Sequence, residues 1–282
     1  MFVEEILGGL PLPDRALWKV TGEDRVRYLN GQVTNDLSLL TPGRSLYGAV
    51  LTGKGRMEGE GFFAATEDAV WIDAPLPVRE SLRARLEKFL IADDAMIEDV
   101  TDSYRLSHWF GEEAPPAAPG RVVSRSARFG PPGWDVWEPG AAPCLPARLA
   151  APEAVDRARI EHALGAWGRE LGPETLPQEA RLEEGGRGLS YEKGCYVGQE
   201  TVARVRSIGH VNRRLVLLRQ ASGPAGVPET PQPLAFGEKE VGKLTSAAEG
   251  IALGYVPRTL LEEAGEFRAG ERAYRIAPPK AG

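Results

Sequence analysis

The hydrophobic pattern and the spacing of Gly and Pro change near residue 208, and this change constrains the fold more than any other feature. Before it, strand-like runs and amphipathic segments alternate without the strict rhythm of a parallel sheet, which favours an α+β region. After it, short β-like runs are separated by turns rich in Gly and Pro, as in a small antiparallel sheet or barrel. The sequence therefore predicts an α+β region of two modules over residues 1–208 and a β-barrel domain over residues 209–282.

Within these two regions, several segments have a clear hydrophobic period. The segment 78–91 predicts an amphipathic helix with Leu82 on its apolar face, and 153–167 predicts a second helix. The segments 45–52 and 55–65 predict two strands joined by a tight turn. In the C-terminal region the predicted strands are 215–218, 241–246, 251–255 and 272–276.

Composition argues against several functional classes. A net charge of −6 disfavours a general nucleic-acid-binding surface. The two cysteines, Cys144 and Cys195, and three scattered histidines match neither a secreted disulfide framework nor a metal-ligand pattern. No apolar run approaches the roughly 20 residues of a membrane span, and the acidic start, with Glu4 and Glu5, is unlike a signal peptide. We therefore expect a cytoplasmic protein with reduced thiols, no metal site, and no direct contact with nucleic acid or membrane.

The segment 193–200, Lys-Gly-Cys-Tyr-Val-Gly-Gln-Glu, concentrates reactive and polar side chains between glycines. Glycine permits backbone conformations and close approaches that other residues cannot make. Lys193 near Cys195 would favour the thiolate, the form in which cysteine acts as a nucleophile or metal ligand. Gln199 and Glu200 offer complementary donors and acceptors to a heterocycle. The alternative interpretation is a glycine-bearing turn that leads into a strand, with Cys195 as a small buried hydrophobe.

This segment closely resembles the signature of YgfZ-type proteins, which look like the T-protein aminomethyltransferase of glycine cleavage in fold. Further blocks resemble the family in order along nearly the whole chain, which a chance octapeptide does not explain. The blocks are 22–25, 28–32, 34–36, 51–56, 159–161, 177–179, 241–246 and 252–255. The resemblance implies a ring-like arrangement of α+β modules with a C-terminal antiparallel β-barrel, and tetrahydrofolate or a folate derivative in the central opening.

A folate needs a carboxylate for its pterin edge, aromatic or apolar walls for its rings, and Arg or Lys for its glutamate tail. Glu161 or Glu200 would suit the edge, and Tyr196 or Tyr28 the ring faces. Arg159, Arg204 or Arg25 would suit the tail. The residues that the resemblance suggests for folate binding are Asn35, Arg159, Glu161, Lys193, Tyr196, Gln199, Glu200 and Arg204.

The resemblance also implies a function, a folate-dependent accessory role in the assembly or repair of iron–sulfur proteins, including those that modify tRNA. The expected partners are folate and iron–sulfur client or assembly proteins, and the candidate functional thiol is Cys195. With no second cysteine nearby, Cys195 cannot hold a cluster alone. A mixed disulfide, a persulfide or ligation shared with a partner is chemically open to it.

Two other functions stay open at the level of sequence. One is a folate-dependent aminomethyl or one-carbon transferase, the activity expected if the chain is an enzyme. Aminomethyltransferases resemble one another in an Asp-Asp pair that aligns with Gly59 and Glu60, and Gly59 has no side chain for proton transfer. Glu60 should point to the opposite face of its strand. The other function is a thiol-redox module, which the lack of a Cys-x-x-Cys pair disfavours.

Overall fold

A computed structural model describes residues 6–263 and 265–280; the acidic residues Glu4 and Glu5, on which the signal-peptide expectation rests, lie outside them. Its elements in chain order are β1 (Gly8–Pro11), β2 (Arg15–Thr21), α1 (Arg25–Asn30), β3 (Ser45–Leu51), β4 (Met57–Ala65), β5 (Val70–Pro75), α2 (Arg79–Glu87), β6 (Met96–Asp99), β7 (Tyr104–Phe110), β8 (Val122–Ser126), β9 (Gly133–Pro139), α3 (Pro152–Glu161), α4 (Gln199–Ser207), β10 (Arg213–Ser222), β11 (Gln232–Phe236), β12 (Lys239–Ala248), β13 (Ile251–Pro257), β14 (Phe267–Ala269) and β15 (Arg272–Ala277). No helix in this part of the chain is long and apolar enough to cross a membrane.

The strands form two antiparallel sheets and a closed barrel. The first sheet has the order β3-β4-β5-β2-β6, the second has the order β1-β7-β9-β8, and the barrel runs β10-β13-β12-β11-β14-β15. The α+β class and the C-terminal antiparallel barrel predicted from the sequence are therefore confirmed.

Residue alternation along the first sheet decides what each of its faces contacts. In β5, Ile72 belongs to the core under helices α1 and α2, together with Leu82 and Leu86. Its neighbour Trp71 belongs to a different core, shared with Trp137 of the second sheet. Since successive side chains of a strand point to opposite faces, the first sheet is covered by helices on one side and by the second sheet on the other.

A buried ionic network joins the two sheets. The Arg128 guanidinium donates to Asp73 of β5 (2.7 and 3.0 Å) and to Asp135 of β9 (2.8 and 3.0 Å). Both carboxylates are fully buried, and Asp135 also contacts His108 Nδ1 at 2.8 Å. Burial alone would raise the pKa of Asp135, but the charge of Arg128 and the hydrogen bond with His108 hold it below its usual range. Arg15 extends the network by donating to Asp73 and to Glu60.

Helix α3 connects the sheets to the barrel, and it is shorter than the sequence predicts. Ile160 packs among barrel residues that include Leu217 and Leu253. The helix ends at Glu161 rather than near residue 167, and Ala163 then adopts a positive φ of 52°, which a right-handed helix does not allow. The prediction over 153–167 is therefore wrong in its last turns.

The barrel contains two strands that the sequence analysis missed. The four predicted runs lie within β10, β12, β13 and β15, but β11 and β14 close the barrel between them. Strand β11 contains Pro233, which cannot donate to a strand ladder, and β14 has three residues. The hydrophobic pattern of β11 and of β14 is too weak for either strand to be recognised from sequence without the strands with which it pairs.

Replacing Arg128 with Met should lower the free energy of unfolding by about 3–5 kcal/mol, because two buried carboxylates would lose their shared cation. Denaturant unfolding would measure the change. The matched control is Arg268→Gln, an exposed arginine with no ion pair among the described residues, for which we expect a change within about 0.5 kcal/mol. Equal unfolding free energies for the two variants would contradict this role of Arg128.

Candidate functional site

The segment around Cys195 lies along the loop that follows α1. Ser190 N donates to Thr34 O at 2.9 Å, and Val197 N donates to Gly31 O at 3.3 Å. Gly198 has a φ of 87°, and a Cβ there would lie 2.6 Å from Thr52 O in the turn between β3 and β4. The glycine is therefore required both by the backbone conformation and by the close approach of the two loops.

The Lys193 side chain points inward and binds this loop. Its ammonium donates to the carbonyl oxygens of Asn30, Val33 and Asn35 at 2.6, 2.8 and 2.6 Å. Burial lowers the pKa of Lys193 to about 8. All three ammonium hydrogens are thus used within the protein, so Lys193 serves as an anchor rather than as a contact for a ligand.

Two exposed residues, Gly194 and Cys195, lie between the buried residues Lys193 and Tyr196. Cys195 is exposed, whereas Tyr196 is buried in a core with Leu51, Met57 and Val202. Burial also raises the pKa of the Tyr196 hydroxyl. The alternative interpretation of Cys195 as a buried hydrophobe is therefore wrong. The thiol is held outward because Lys193, two residues before it, and Tyr196, directly after it, are both buried.

The remaining predicted residues of the segment begin a helix. Gln199 and Glu200 form the first turn of α4, and Glu200 pairs with Arg204 at 2.6 Å on its exposed face. The interpretation of a turn leading into a strand is wrong here, because Gly198 adopts a left-handed conformation at the N-cap of α4 and an acid in the first turn favours a helix. Glu200 and Arg204 offer a solvated ion pair rather than a pocket wall.

Asn35 connects the anchored loop to a second group of side chains. Its amide donates to the backbone oxygens of Tyr47 and Arg187, at 2.7 and 3.2 Å. The Arg187 guanidinium lies 5.4 Å from the Tyr47 ring centre, and among the described residues it has neither a hydrogen bond nor an ion pair. Burial lowers the pKa of Arg187. Gly188 is needed beside it, since a Cβ there would lie 2.8 Å from the Tyr47 ring.

Glu60 lies on the same face of the first sheet as Tyr47. It is buried, and its Oε1 accepts from Arg15 at 2.7 Å. Gly59 faces the other way, where a Cβ would lie 2.9 Å from the Leu82 side chain of α2. The expected opposite orientation of positions 59 and 60 is present. A carboxylate therefore stands on the Tyr47 face even though Gly59 has no side chain.

Arg159 and Glu161 are committed to structural contacts. Arg159 is buried and binds Glu170 at 3.0 Å and Ser246 at 2.9 Å, which connects α3 to barrel strand β12. Glu161 pairs with Arg157 at 3.1 Å and with Lys280. The other tail candidate, Arg25, donates to two backbone oxygens. Their charges are thus neutralised or satisfied inside the protein, and the structure does not bring them together with the Cys195 segment.

The structure therefore divides the predicted residues into three sets. Lys193, Tyr196 and Asn35 lie inside and order the segment, while Cys195, Gln199, Glu200 and Arg204 lie on its outer side. The third set, Arg159 and Glu161, is bound to structural partners away from the segment. Tyr28, the alternative ring contact, is buried under the first sheet, where its hydroxyl binds Leu86 O.

The sequence analysis missed Arg187 and Tyr47 as candidate site residues. An arginine between two glycines, six residues before Lys193, was a signal for the first. Nothing local distinguished Tyr47 from an ordinary strand residue.

Comparison with known proteins supports the resemblance seen in the sequence. Residues 212–281 match the family model of the CAF17 C-terminal beta-barrel domain. The chain is 28% identical to the tRNA-modifying protein YgfZ of Shigella boydii, over 80% of this chain and 75% of that protein. It is 25% identical to the mitochondrial iron–sulfur cluster assembly factor IBA57 homolog of Phaeosphaeria nodorum, over 80% of this chain and 59% of that protein.

The fold is similar to that of a solved enzyme. The glycine cleavage system aminomethyltransferase T from Bartonella henselae superposes with a TM-score of 0.77 and 18% sequence identity, over 98% of this chain and 86% of that chain. At this identity the likeness concerns the fold alone. The chain is therefore similar in sequence to YgfZ-type proteins, and its fold is similar to that of the glycine-cleavage T-protein.

Proposed function

We propose that this protein is a folate-binding accessory factor that supports the assembly or repair of iron–sulfur proteins, and through them tRNA modification. Its similarity to a tRNA-modifying protein and to an iron–sulfur cluster assembly factor supports the second half of this proposal. The observation that carries it is the exposed thiol of Cys195 on a loop whose neighbouring side chains are anchored inside.

An exposed thiol suits a protein partner better than an enclosed small substrate. Cys195 lies on a surface that a folded client can reach without rearrangement of the loop. The only other cysteine, Cys144, is half-buried, and its Sγ accepts from Arg121 at 3.2 Å. Iron–sulfur clusters are held by several thiolates. Cys195 therefore acts, in this proposal, on a cluster or sulfur group whose other ligands belong to the partner.

The folate half of the proposal rests on the group formed by Arg187, Tyr47 and Glu60. Arg187, which has no ion pair within residues 6–263 and 265–280, supplies a cation for a carboxylate tail, and Tyr47 supplies an aromatic wall beside it. Glu60 supplies a carboxylate on the same sheet face, with one oxygen bound to Arg15. These are the three kinds of group that a folate requires. We assign the tail to Arg187 rather than to Arg159, because Arg159 already pairs with Glu170.

Deletion of the encoding locus should lower iron–sulfur enzyme activity and leave glycine cleavage intact. A Cys195→Ser variant should fail to restore that activity, while its free energy of unfolding stays within about 0.5 kcal/mol of the native value because the side chain is exposed. Cys144→Ser is the matched control and should restore activity. Restoration by Cys195→Ser would exclude a role for the thiol, and loss of glycine cleavage alone would favour an aminomethyltransferase.

Lys193→Met should reduce both complementation and stability, unlike Cys195→Ser. The variant leaves three carbonyl oxygens without their donor, and we expect a loss of at least about 3 kcal/mol in the free energy of unfolding. Lys54→Met, which removes an exposed lysine from the turn after β3, provides the comparison. If Lys193→Met unfolds at the same denaturant concentration as Lys54→Met, the anchoring role is wrong.

Arg187→Gln should weaken the binding of 5-formyltetrahydrofolate about tenfold or more, since the tail carboxylate would lose a charged donor. Isothermal titration calorimetry on the full chain measures this directly. Arg219→Gln, an exposed barrel arginine, should bind folate like the native protein. Equal affinities for the native protein and Arg187→Gln would remove Arg187 from the folate site.

A further inference from the structure

The end of helix α4 adjoins the Cys195 segment. The Arg206 guanidinium carbon lies 4.1 Å from the ring centre of Tyr191, which precedes Cys195 by four residues. Four residues of extended chain span at most about 14 Å, so the backbones of Tyr191 and Cys195 are no farther apart than that. A protein interface of standard size covers about 800 Å² on each partner, a patch roughly 30 Å across. A protein that binds beside Tyr191 is therefore large enough to reach the thiol.

A cavity opens between α4 and the barrel at this place. Its volume is about 300 Å³. Four of the residues that line it are apolar or aromatic, namely Tyr191, Val205, Val211 and Leu261. The volume is at the lower limit for a small-molecule site, and it is sufficient for one or two side chains of a protein.

Ile208 lies directly after α4 and is 85% exposed. Its N–H donates to Arg204 O at 3.1 Å, so it continues the exposed row formed by Glu200 and Arg204. A single exposed isoleucine is ordinary on a protein surface. This one, however, is two residues from both Arg206 and His210, which line the cavity. A protruding apolar side chain beside a hollow lined by Tyr and Arg is typical of the core of a protein interface.

The unpaired charges at the cavity are positive. Arg206 and Arg258 are exposed, and neither forms an ion pair within residues 6–263 and 265–280. His210 is an exposed lining residue as well. The acidic lining residue, Glu183, is already paired with Arg214 at 2.9 Å. This distribution of charge favours a ligand whose own surface is acidic.

A protein fits this surface better than RNA does. Glu192 is exposed, follows Tyr191 directly, and has no ion pair in the described part of the chain, so it would repel a phosphate backbone. The whole chain carries a net charge of −6. Ile208 and the apolar lining gain nothing from phosphates, whereas a protein removes them from water.

We propose that the surface formed by α4, Tyr191, Ile208 and Arg258 is the docking site for a protein partner that has an acidic patch around an exposed apolar side chain. The apolar side chain enters the cavity, the acidic groups pair with Arg206 and Arg258, and Ile208 packs against the partner. A partner held in this way reaches the Cys195 loop. The inference rests on the proposed function in taking this partner to be an iron–sulfur protein.

The probe for this docking site is the purified iron–sulfur enzyme whose activity falls furthest on deletion of the encoding locus. Biolayer interferometry with the full chain measures the Kd. Arg206→Glu with Arg258→Glu should raise the Kd about tenfold or more, because two cross-interface ion pairs become like-charge contacts. Ile208→Ser should raise the Kd about fivefold without changing the free energy of unfolding, since the side chain is exposed. Arg219→Glu with Arg268→Glu, which makes the same change of charge on exposed barrel arginines, should leave the Kd within about twofold.

Equal Kd values for the native chain and the Arg206→Glu, Arg258→Glu variant would overturn the inference, as would failure of the native chain to bind the enzyme. Purified tRNA is the second probe. If this variant loses tRNA binding while its affinity for the enzyme is unchanged, the surface belongs to RNA and the inference is wrong.

Complementation separates this inference from the proposed function. If deletion leaves every iron–sulfur activity intact, the proposed function is wrong, and with it the identity of the partner. If Cys195→Ser fails to restore activity but the Arg206→Glu, Arg258→Glu variant restores it fully, only the docking site is wrong. Failure of this charge variant together with restoration by the Arg219→Glu, Arg268→Glu control supports the docking site.

Discussion

The arrangement of the candidate functional site depends on one buried ammonium group, that of Lys193. Burial of the Lys193 ammonium lowers its pKa to about 8, and the ammonium donates hydrogen bonds to three carbonyl oxygens of the loop after α1. Without it, those oxygens would point at one another with no donor between them. The order of this loop places Asn35, and Asn35 in turn binds the backbone oxygens of Tyr47 and Arg187. The exposed thiol and the unpaired arginine are therefore positioned by the same short segment.

Pairing, more than burial, separates the structural arginines from the candidate ligands. Arg128 and Arg159 are both buried, and each pairs with two carboxylates, Asp73 and Asp135 for Arg128 and Asp156 and Glu170 for Arg159. Such networks join the two sheets and attach α3 to the barrel, and removing one partner leaves a buried charge. Arg187 differs because its half-buried guanidinium lies over the Tyr47 ring and has no ion pair in the part of the chain that the structure describes. A cation left in this state inside a fold is the arrangement that an anionic ligand completes.

Local hydrophobic patterns predicted most helices and strands, but contacts between residues far apart in sequence determine which side chains of the candidate site are available to a ligand. The period of residues 78–91 predicted α2, and the octapeptide at 193–200 correctly drew attention to Cys195. The roles of Lys193 and Arg159 could not be predicted, because their partners lie about 160 and 90 residues away in sequence. The same holds for β14, whose three residues form a strand only between β11 and β15. Sequence therefore identified which segment matters but not which side chains in it are free.

The thiol and the proposed folate group share the loop of residues 30–35 but lie on different sides of it. Cys195 faces solvent, whereas Tyr47 and Glu60 lie on the sheet face opposite α2. A ligand that pairs with Arg187 stabilises the position of Asn35, because the Asn35 amide donates to the backbone oxygen of Arg187. Lys193 holds the same residue by donating to the backbone oxygen of Asn35. Binding free energies coupled through a common element are reciprocal. In the proposed function, a client that engages the Cys195 loop and changes the affinity for folate would have its own affinity changed by folate by the same factor.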